Sequence, residues 1–215
     1  MVFYYRRIYK YQNLIIGVIR QKNLLESLTK KGIKKEIVDA FTEVKREDFV
    51  QVEEAGYAYE DIPLPIGYDQ TISQPSTIAF MLNLLELKEG QKIMEIGSGS
   101  GYVIALISNI IKNGKVYGVE MIKELAIRSK NLLESSKIVE IINRDGKQGL
   151  PEFAPFDRIL VSASASDVPR HLYAQLNNGG IMVTAVRQSI FVIKKENVQI
   201  SEKEFPGFAF VPLVD

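Results

Sequence analysis

From residue 76 onward, short apolar runs alternate with longer segments that carry apolar residues at helical spacing. The apolar runs predict strands at 92–96, 116–119, 138–142, 157–162 and 180–186. The segments with helical spacing predict helices at 76–86, 102–111, 123–134 and 169–176. Because alternating strands and helices build a parallel sheet with helices on both faces, the pattern predicts an α/β fold with a doubly wound, mostly parallel sheet.

The segments on either side of this alternating part follow other patterns. Helix signals occupy 21–60, where Ile33, Ile37, Val38 and Phe41 share one face. Three prolines and one glycine interrupt residues 61–75, which predicts an irregular loop. Strand-like runs follow at 190–194 and 208–214. We therefore predict one domain over 1–215, made of an N-terminal helical segment (1–60), the loop (61–75), an α/β core (76–186) and C-terminal strands (187–215).

The strand predicted at 92–96 leads directly into a glycine-rich turn. Residues 93–101 read I-M-E-I-G-S-G-S-G, so that Ser98 and Ser100 alternate with three glycines, Gly97, Gly99 and Gly101. Glycine lets backbone approach a ligand closely because it has no Cβ. A dinucleotide fingerprint would place the last glycine one residue later, and Glu95 would repel its pyrophosphate. The motif therefore favours a cationic ligand without phosphate, and S-adenosylmethionine is such a ligand.

Acidic residues also follow the next two predicted strands. Glu120 lies nineteen residues beyond Gly101, close to the interval at which a Rossmann unit places an acid on the ribose hydroxyls. Asp145-Gly146 follows the third strand, where related folds hold the adenine. Each acid also has a simpler interpretation. Glu120 could be a solvated acid in the first turn of a helix, and Asp-Gly could be only a turn.

The loop at 61–75 reads D-I-P-L-P-I-G-Y-D-Q-T-I-S-Q-P, and M-E-I-G-S-G-S-G-Y follows at 94–102. Together these segments closely resemble the protein-L-isoaspartate O-methyltransferase family, whose members methylate the abnormal carboxylate formed when asparagine and aspartate residues age. The resemblance covers nearly the whole chain from about residue 25. Upstream it includes V-K-R-E-D-F-V at 44–50, where Lys45 replaces the family's proline. Downstream it includes A-P-F-D-R-I-L-V-S-A-S-A at 154–165, Q-L-N-N-G-G at 175–180 and F-V-P-L at 210–213.

The resemblance implies a Rossmann-like methyltransferase fold that uses S-adenosylmethionine and releases S-adenosylhomocysteine. Its acceptors would be isoaspartyl peptides and proteins. The family assigns an active-site role to the serine of T-I-S, which is Ser73 here, and Thr71 and Ile72 belong to the same loop. An N-cap for the following helix is the alternative role for Ser73. The implied cofactor-binding set is Thr71, Ile72, Ser73, Glu95, Gly97, Ser98, Gly99, Ser100, Gly101, Glu120, Asp145 and Gly146.

Two segments depart from the family pattern. Arg144 stands where the family usually has a glycine before Asp-Gly, so contacts to the adenine could differ. After G-G-I-M-V the family usually continues P-V-G, with a glutamine downstream, whereas this chain has T-A-V-R-Q at 184–188 and a shortened segment. That region helps to shape the substrate groove in relatives, which leaves peptide preference and rate open.

The amino-acid composition argues against several kinds of binding partner and site. The chain has 215 residues, 46% of them hydrophobic and 25% charged, and a net charge of +1. Near-neutral charge gives no reason to expect nucleic acid or an anionic membrane as partner. The absence of cysteine excludes disulfides, thiolate metal sites and a cysteine nucleophile, and no metal site is expected. The N-terminus lacks a signal-peptide pattern, so the cytoplasm is the expected location, and a homo-oligomer remains open.

Two other functions compete with this interpretation. A methyltransferase acting on nucleic acid or a small molecule would use the same cofactor half. Enzymes that methylate a base nitrogen usually carry an N-P-P-Y-like motif after the fourth strand, whereas residues 161–165 read V-S-A-S-A. The second alternative is a non-catalytic protein that binds S-adenosylmethionine, which the altered segment after Gly180 keeps open.

Overall fold

The computed structural model describes residues 2–209, and for residues 2–15 it describes the backbone only. Within this range the chain forms five α-helices, namely α1 (Val2–Lys30), α2 (Lys35–Glu43), α3 (Pro75–Leu85), α4 (Tyr102–Ile111) and α5 (Lys123–Leu132). Four 3-10 helices lie at Arg46–Phe49, Val52–Tyr57, Pro151–Phe153 and Arg170–Gln175. No helix in the described range combines the length and the apolar character needed to cross a bilayer.

The same residues form nine strands in two sheets. The strands are β1 (Leu64–Gly67), β2 (Gln70–Ile72), β3 (Lys92–Ile96), β4 (Lys115–Glu120), β5 (Val139–Asn143), β6 (Phe156–Ala165), β7 (Leu176–Val186), β8 (Ser189–Glu196) and β9 (Gln199–Pro206). Seven of them form one sheet in the order β5-β4-β3-β6-β7-β8-β9. Neighbouring strands from β5 to β7 in this order are parallel, whereas β8 runs antiparallel to both of its neighbours, β7 and β9. This topology confirms the predicted doubly wound, mostly parallel sheet.

Alternate residues of the central strands point to two hydrophobic layers, as the two-residue period of a strand requires. Ile93, Val116 and Leu160 belong to the layer beneath the α-helices. Met94 and Tyr117 belong to the opposite layer, which contains residues of the 3-10 helices at 151–153 and 170–175. The central strands β3, β4 and β6 are therefore buried on both faces, which explains why they read as nearly continuous apolar runs.

The N-terminal segment packs against the helix that follows the glycine-rich turn. Tyr102, the first residue of α4, is 2% exposed and contacts two aromatic rings of that segment. The ring of Phe41 in α2 lies edge-on at 6.0 Å between centroids, and Phe49 lies at 5.4 Å. This aromatic cluster fixes the N-terminal segment beside the turn at 97–101.

Most predicted elements of the core agree with the structure to within four residues, and three differences have physical causes. The helix predicted at 169–176 is a 3-10 helix over Arg170–Gln175, since β7 begins at once at Leu176. The loop at 61–75 contains the antiparallel hairpin β1–β2. The edge strand β9 was not predicted because its charged side chains are exposed, as edge strands often are. The run predicted at 208–214 lies almost entirely outside the described residues.

Candidate active site

The candidate site lies at the carboxyl ends of the parallel strands. Ile96, the last residue of β3, pairs with Val119 of β4 on one side and with Val161 of β6 on the other. The chain leaves β3 toward β4 and β5 and later returns to the other side of β3 as β6, so the strand order reverses here. Ligands of open α/β sheets bind in the crevice outside such a reversal.

Two adjoining cavities open at this point. Counting the open space at their mouths, the first encloses about 750 Å³ and the second about 530 Å³. Their walls share residues of the hairpin, the glycine-rich turn and β6, namely Ile66, Thr71, Ser73, Gly97, Gly99 and Ser162. The two cavities thus form one cleft between the hairpin and the strand ends.

Eleven of the twelve predicted site residues line this cleft. The first cavity is lined by Thr71, Ser73, Gly97, Gly99, Glu120, Asp145 and Gly146. The second adds Ile72, Glu95, Ser98 and Ser100. Gly101 lines neither cavity. The folded chain therefore brings together residues from four separate segments, and their contacts to a cofactor stay predictions.

The backbone of the glycine-rich turn explains where glycine is required. Gly97 has a φ of +78°, its N–H donates to the carbonyl of Val119 at 2.9 Å, and a Cβ would lie 3.2 Å from the Cβ of Ala163. Gly101 has a φ of +86°, and a Cβ there would lie 2.9 Å from the Cβ of Ser129. Gly97 therefore allows backbone to face the cleft, while Gly101 lets α4 begin close to α5.

Glu120 is a buried carboxylate that binds the turn directly. It is 6% exposed, and its Oε2 accepts a hydrogen bond from the N–H of Gly99 at 2.7 Å. Its Oε1 accepts from the N–H of Ile122 at 2.8 Å. This burial does not fit a solvated acid at a helix start. Each oxygen retains a further acceptor position for a hydroxyl group in the first cavity.

Glu95 lies deeper, in the wall of the second cavity, and is 1% exposed. Its Oε1 accepts a hydrogen bond from the Ser162 hydroxyl at 2.5 Å, while its Oε2 has no partner. Burial raises the pKa of Glu95 to about 8, with a further contribution from the charge of Glu120, and the Ser162 hydrogen bond opposes this shift. A buried acceptor without a partner is costly, so the site suits a ligand with an ammonium group.

These features agree with the chemistry of S-adenosylmethionine. The unpartnered Oε2 of Glu95 would accept from the ammonium group, and the Ser98 hydroxyl is a second buried polar group without a partner in this wall. Glu120 would accept from ribose hydroxyls. The described side chains contain no group of three or more His, Cys, Asp or Glu placed to hold a metal ion.

Asp145 and Gly146 form the far end of the first cavity. The Oδ1 of Asp145 accepts from the N–H of Lys147 at 2.8 Å, which is the hydrogen bond of an Asx turn. A Cβ on Gly146 would lie 2.6 Å from Cγ2 of Ile96, so only glycine allows this turn to lie against the end of β3. The Asp-Gly pair is therefore a turn, and its contact with the adenine stays a prediction.

The hairpin places Ser73 in the walls of both cavities. The Ser73 side chain does not cap α3, because the N-cap residue is Gln74 and no side-chain cap hydrogen bond exists there. Asp61 supplies a hydrogen-bond acceptor to the start of α3 instead, because its Oδ1 accepts a hydrogen bond from the N–H of Ser76 at 2.8 Å. Although burial opposes the shift, hydrogen bonds from Ser76 and Lys31 hold the pKa of Asp61 below its usual value. The Ser73 hydroxyl is therefore not needed for capping.

A buried arginine lies behind the hairpin. Arg46 is fully buried, and its guanidinium donates to the carbonyls of Ala58 at 2.6 Å, Ile62 at 3.2 Å and Ser73 at 3.0 Å. The hairpin lies between the last two of these carbonyls in sequence. Arg46 thus connects both ends of the hairpin to the N-terminal segment.

With this geometry in place, comparison with known proteins identifies the family. A family model described as protein-L-isoaspartate(D-aspartate) O-methyltransferase matches residues 19–215. The chain belongs to this family. It is therefore an S-adenosylmethionine-dependent methyltransferase, which confirms the resemblance and the cofactor expected from the sequence.

Individual relatives agree with the family assignment. The chain is 42% identical over 198 residues to the protein-L-isoaspartate O-methyltransferase of Methanococcoides burtonii, which covers 89% of this chain and 98% of the relative. It is 41% identical over 202 residues to that of Pyrobaculum islandicum, with the same two coverages. These alignments leave about a tenth of this chain without a counterpart.

Solved structures of the family share the fold. One protein-L-isoaspartate O-methyltransferase superposes with a TM-score of 0.82 at 30% identity, covering 91% of this chain and 66% of that longer chain. A Plasmodium falciparum chain described as a member of the same family, in complex with S-adenosyl-L-homocysteine, has a TM-score of 0.79 at 28% identity, covering 90% of this chain and 98% of that one.

Neither departure from the family pattern contributes a residue to the walls of the two cavities. The Arg144 guanidinium binds the Glu152 carboxylate at 2.7 Å and the carbonyl of Gly149, and Arg144 lines neither cavity. The segment T-A-V-R-Q ends β7 and turns into β8. There the side chain of Arg187 donates to the carbonyl of Ser166 at 3.1 Å. No residue of 184–188 lines the two cavities.

Sequence reasoning missed three residues that support the cleft. Ser162 lies in the V-S-A-S-A run and binds Glu95, and a polar residue within a buried strand could have indicated it. Asp61 precedes α3 by too many residues to match a capping pattern. Arg46 lies between charged neighbours in K-R-E-D, so nothing in the local pattern indicated its burial.

Proposed function

We propose that this chain transfers a methyl group from S-adenosylmethionine to the free carboxylate of isoaspartyl residues in damaged proteins. The observation that carries this proposal is the position of Ser73 in the walls of both cavities. Glu120 and Asp145 line the first cavity and Glu95 lines the second, while the hairpin whose sequence is specific to the family borders both. Ser73 is thus placed where acceptor and donor would meet.

On the side of the methyl donor, the residues of this chain would recognise the positive charge and the hydroxyl groups of the cofactor. Glu95 would bind the ammonium group, and Glu120 would accept from the ribose. Asp145 would accept from the exocyclic amine of the adenine. When bound, the cofactor supplies a methyl group on a sulfonium, which is the electrophile of the reaction. None of these residues exchanges a proton with the acceptor in this scheme.

The acceptor needs no general base. A carboxyl group has a reference pKa near 4, so the isoaspartyl carboxylate is already ionised at neutral pH. Its oxygen forms a bond to the methyl carbon while the carbon–sulfur bond breaks and sulfur keeps the electron pair. The products are a methyl ester and S-adenosylhomocysteine. Rate enhancement then comes mainly from alignment in a site closed to water, which can contribute roughly 7–11 kcal/mol.

Ser73 and its neighbours supply that alignment in this proposal. The hydroxyl of Ser73 would donate a hydrogen bond to the acceptor carboxylate and orient one oxygen toward the donor. Thr71 and Ile72 would form the adjoining wall of the cleft. Prolines at 63, 65 and 75 restrict the backbone of this segment, which lowers the entropy lost when it orders over a substrate.

Isoaspartyl peptides and proteins are accordingly the proposed partners. The expectations of no nucleic-acid partner and a cytoplasmic location stay predictions, and so does the division of the single domain into four segments.

A pair of matched peptides tests the proposed function. The protein is incubated with S-adenosylmethionine labelled in its methyl group and with a peptide containing isoaspartate, or with the same peptide containing aspartate. We expect base-labile label on the isoaspartyl peptide only. Label on both peptides or on neither would contradict the proposal.

A further inference from the structure

Arg46 is a charged side chain without contact to solvent, and its exposed fraction is 0%. All three of its hydrogen bonds go to backbone carbonyls, and its Nε has no partner. Burial lowers its pKa to about 10, although the charge of Asp61 partly opposes this shift, so the guanidinium remains charged at neutral pH. A buried charge is costly when carbonyl groups alone compensate it.

The carbonyls that Arg46 binds lie at structurally important points. Ala58 follows the 3-10 helix at 52–57, Ile62 precedes β1 and Ser73 follows β2. One Nη atom binds both Ile62 and Ser73, which brings the two ends of the hairpin to a single nitrogen. The Ser73 carbonyl belongs to the residue that lines both cavities. Its peptide group is therefore held from behind while its side chain remains available to the cleft.

We propose that Arg46 is a positioning residue for methyl transfer, which holds the hairpin at residues 64–72 and the peptide group of Ser73 against the cofactor cleft. The planar guanidinium suits this task because it presents several N–H donors in a fixed arrangement. A lysine has one nitrogen at the end of a flexible stem and cannot bind Ala58 from one nitrogen and Ser73 from another. The sequence motif V-K-R-E-D-F-V at 44–50 thus acts on the cleft through the backbone of a distant segment.

Arg158 offers a matched control. It is 5% exposed, and its guanidinium also binds backbone carbonyls, those of Leu85, Glu86 and Asp157. These carbonyls lie at the carboxyl end of α3 and the start of β6, and Arg158 lines neither cavity. Replacing either arginine by lysine removes a buried guanidinium, but only Arg46→Lys loosens the hairpin.

The test compares Arg46→Lys with Arg158→Lys at a temperature where both are folded. Because misplacement of a reacting group by about 1 Å can cost about 100-fold in rate, we expect Arg46→Lys to lower kcat by about that factor. Calorimetric affinity for S-adenosylhomocysteine should change much less than kcat. Amide hydrogens of the hairpin should exchange at least about tenfold faster, since the segment opens locally more often. Arg158→Lys should lower thermal stability while leaving kcat and hairpin exchange as in the wild type.

A purely structural role for Arg46 predicts a different result. Arg46→Lys would then lower the melting temperature with hairpin exchange and kcat unchanged, and this outcome overturns the proposal. The wild type provides a measurement that does not depend on a folded variant. Hairpin amides that exchange near the rate of an unstructured peptide would show that Arg46 does not hold the segment.

This inference rests on the proposed function, yet the two can fail separately. If the wild type labels no isoaspartyl peptide, the proposed function fails. Hairpin exchange in Arg46→Lys and Arg158→Lys still tests the role of Arg46 in that case.

Discussion

The carboxylate of Glu120 and the backbone N–H of Gly99 are joined by a hydrogen bond of 2.7 Å. This bond crosses from the end of β4 to the middle of the glycine-rich turn after β3. The acid proposed to bind the cofactor therefore also holds the shape of the turn that faces the cofactor. Loss of Glu120 should affect both stability and binding.

For Glu120→Ala we expect weaker binding of S-adenosylhomocysteine and lower stability. Hydrogen bonds to charged groups contribute about 1.5–3 kcal/mol each, and the variant leaves the N–H groups of Gly99 and Ile122 without their acceptor. Titration calorimetry and urea unfolding measure the two effects. Glu124→Ala, which removes an exposed acid at the second residue of α5, is the control and should leave the affinity unchanged and lower stability by at most about 1 kcal/mol. Unchanged affinity in Glu120→Ala would remove this residue from the cofactor site.

Ser73→Ala should lower turnover without lowering stability. One hydrogen bond to a charged acceptor corresponds to about a 10- to 100-fold loss in kcat. The melting temperature should stay the same because the Ser73 side chain makes no helix cap. Ser76→Ala, three residues further along the chain, is the matched control and should retain activity. Wild-type turnover in Ser73→Ala would exclude a catalytic role for its hydroxyl.

The raised pKa of Glu95 predicts a particular dependence of stability on pH. The native carboxyl holds its proton up to about pH 8, whereas the unfolded carboxyl releases it near 4.3. Between these values the native state binds more protons, so the stability that Glu95 contributes falls as pH rises and is gone above about pH 8. Glu95→Gln lacks this slope. Urea unfolding of the ligand-free protein should therefore find the variant less pH-dependent than the wild type between pH 5 and 8.5, and equal slopes would contradict the assignment.

Binding of the cofactor product should shift the same proton. An ammonium group beside Glu95 favours the ionised carboxylate, so S-adenosylhomocysteine should release a proton from the protein on binding near pH 7. Calorimetry in two buffers with different ionisation enthalpies measures this release. Glu95→Gln should show weaker binding and no release from this position. Equal heats in both buffers for the wild type would mean that Glu95 does not change its protonation state.

Gly101→Ala should destabilise the fold without a direct contact to the cleft. The position has a φ of +86°, and the new methyl group would meet the side chain of Ser129 at 2.9 Å. A left-handed conformation costs a non-glycine residue roughly 1–2 kcal/mol, and the close contact adds to this. Gly17→Ala is the control, because nothing lies within 4 Å of a Cβ there and alanine favours a helix. A Gly101→Ala variant as stable as the wild type would contradict the packing argument.

The sequence alone determined the part of the fold that depends on local pattern. Apolar runs predicted the parallel strands because a strand buried on both faces must be apolar throughout. The spacing of glycines and acids predicted the cleft residues because strand ends, turns and close approach require particular residue types at neighbouring positions. Eight predicted residues of the glycine-rich turn and the acidic strand ends line the cleft for this reason, while Thr71, Ile72 and Ser73, which also line it, were implied by the family resemblance.

Tertiary structure decided what connects residues distant in the chain. The sequence predicts a loop where the structure has the hairpin at 64–72, since strands of four and three residues next to prolines carry no clear period. Arg46 and Asp61 belong to residue types that usually face solvent, and only the folded chain brings them to carbonyls and an N–H group of other segments. The burial of Glu95, its hydrogen bond with Ser162 and its raised pKa arise from the residues that surround it in the folded chain. They depend on which groups meet in space, and the local sequence does not encode that.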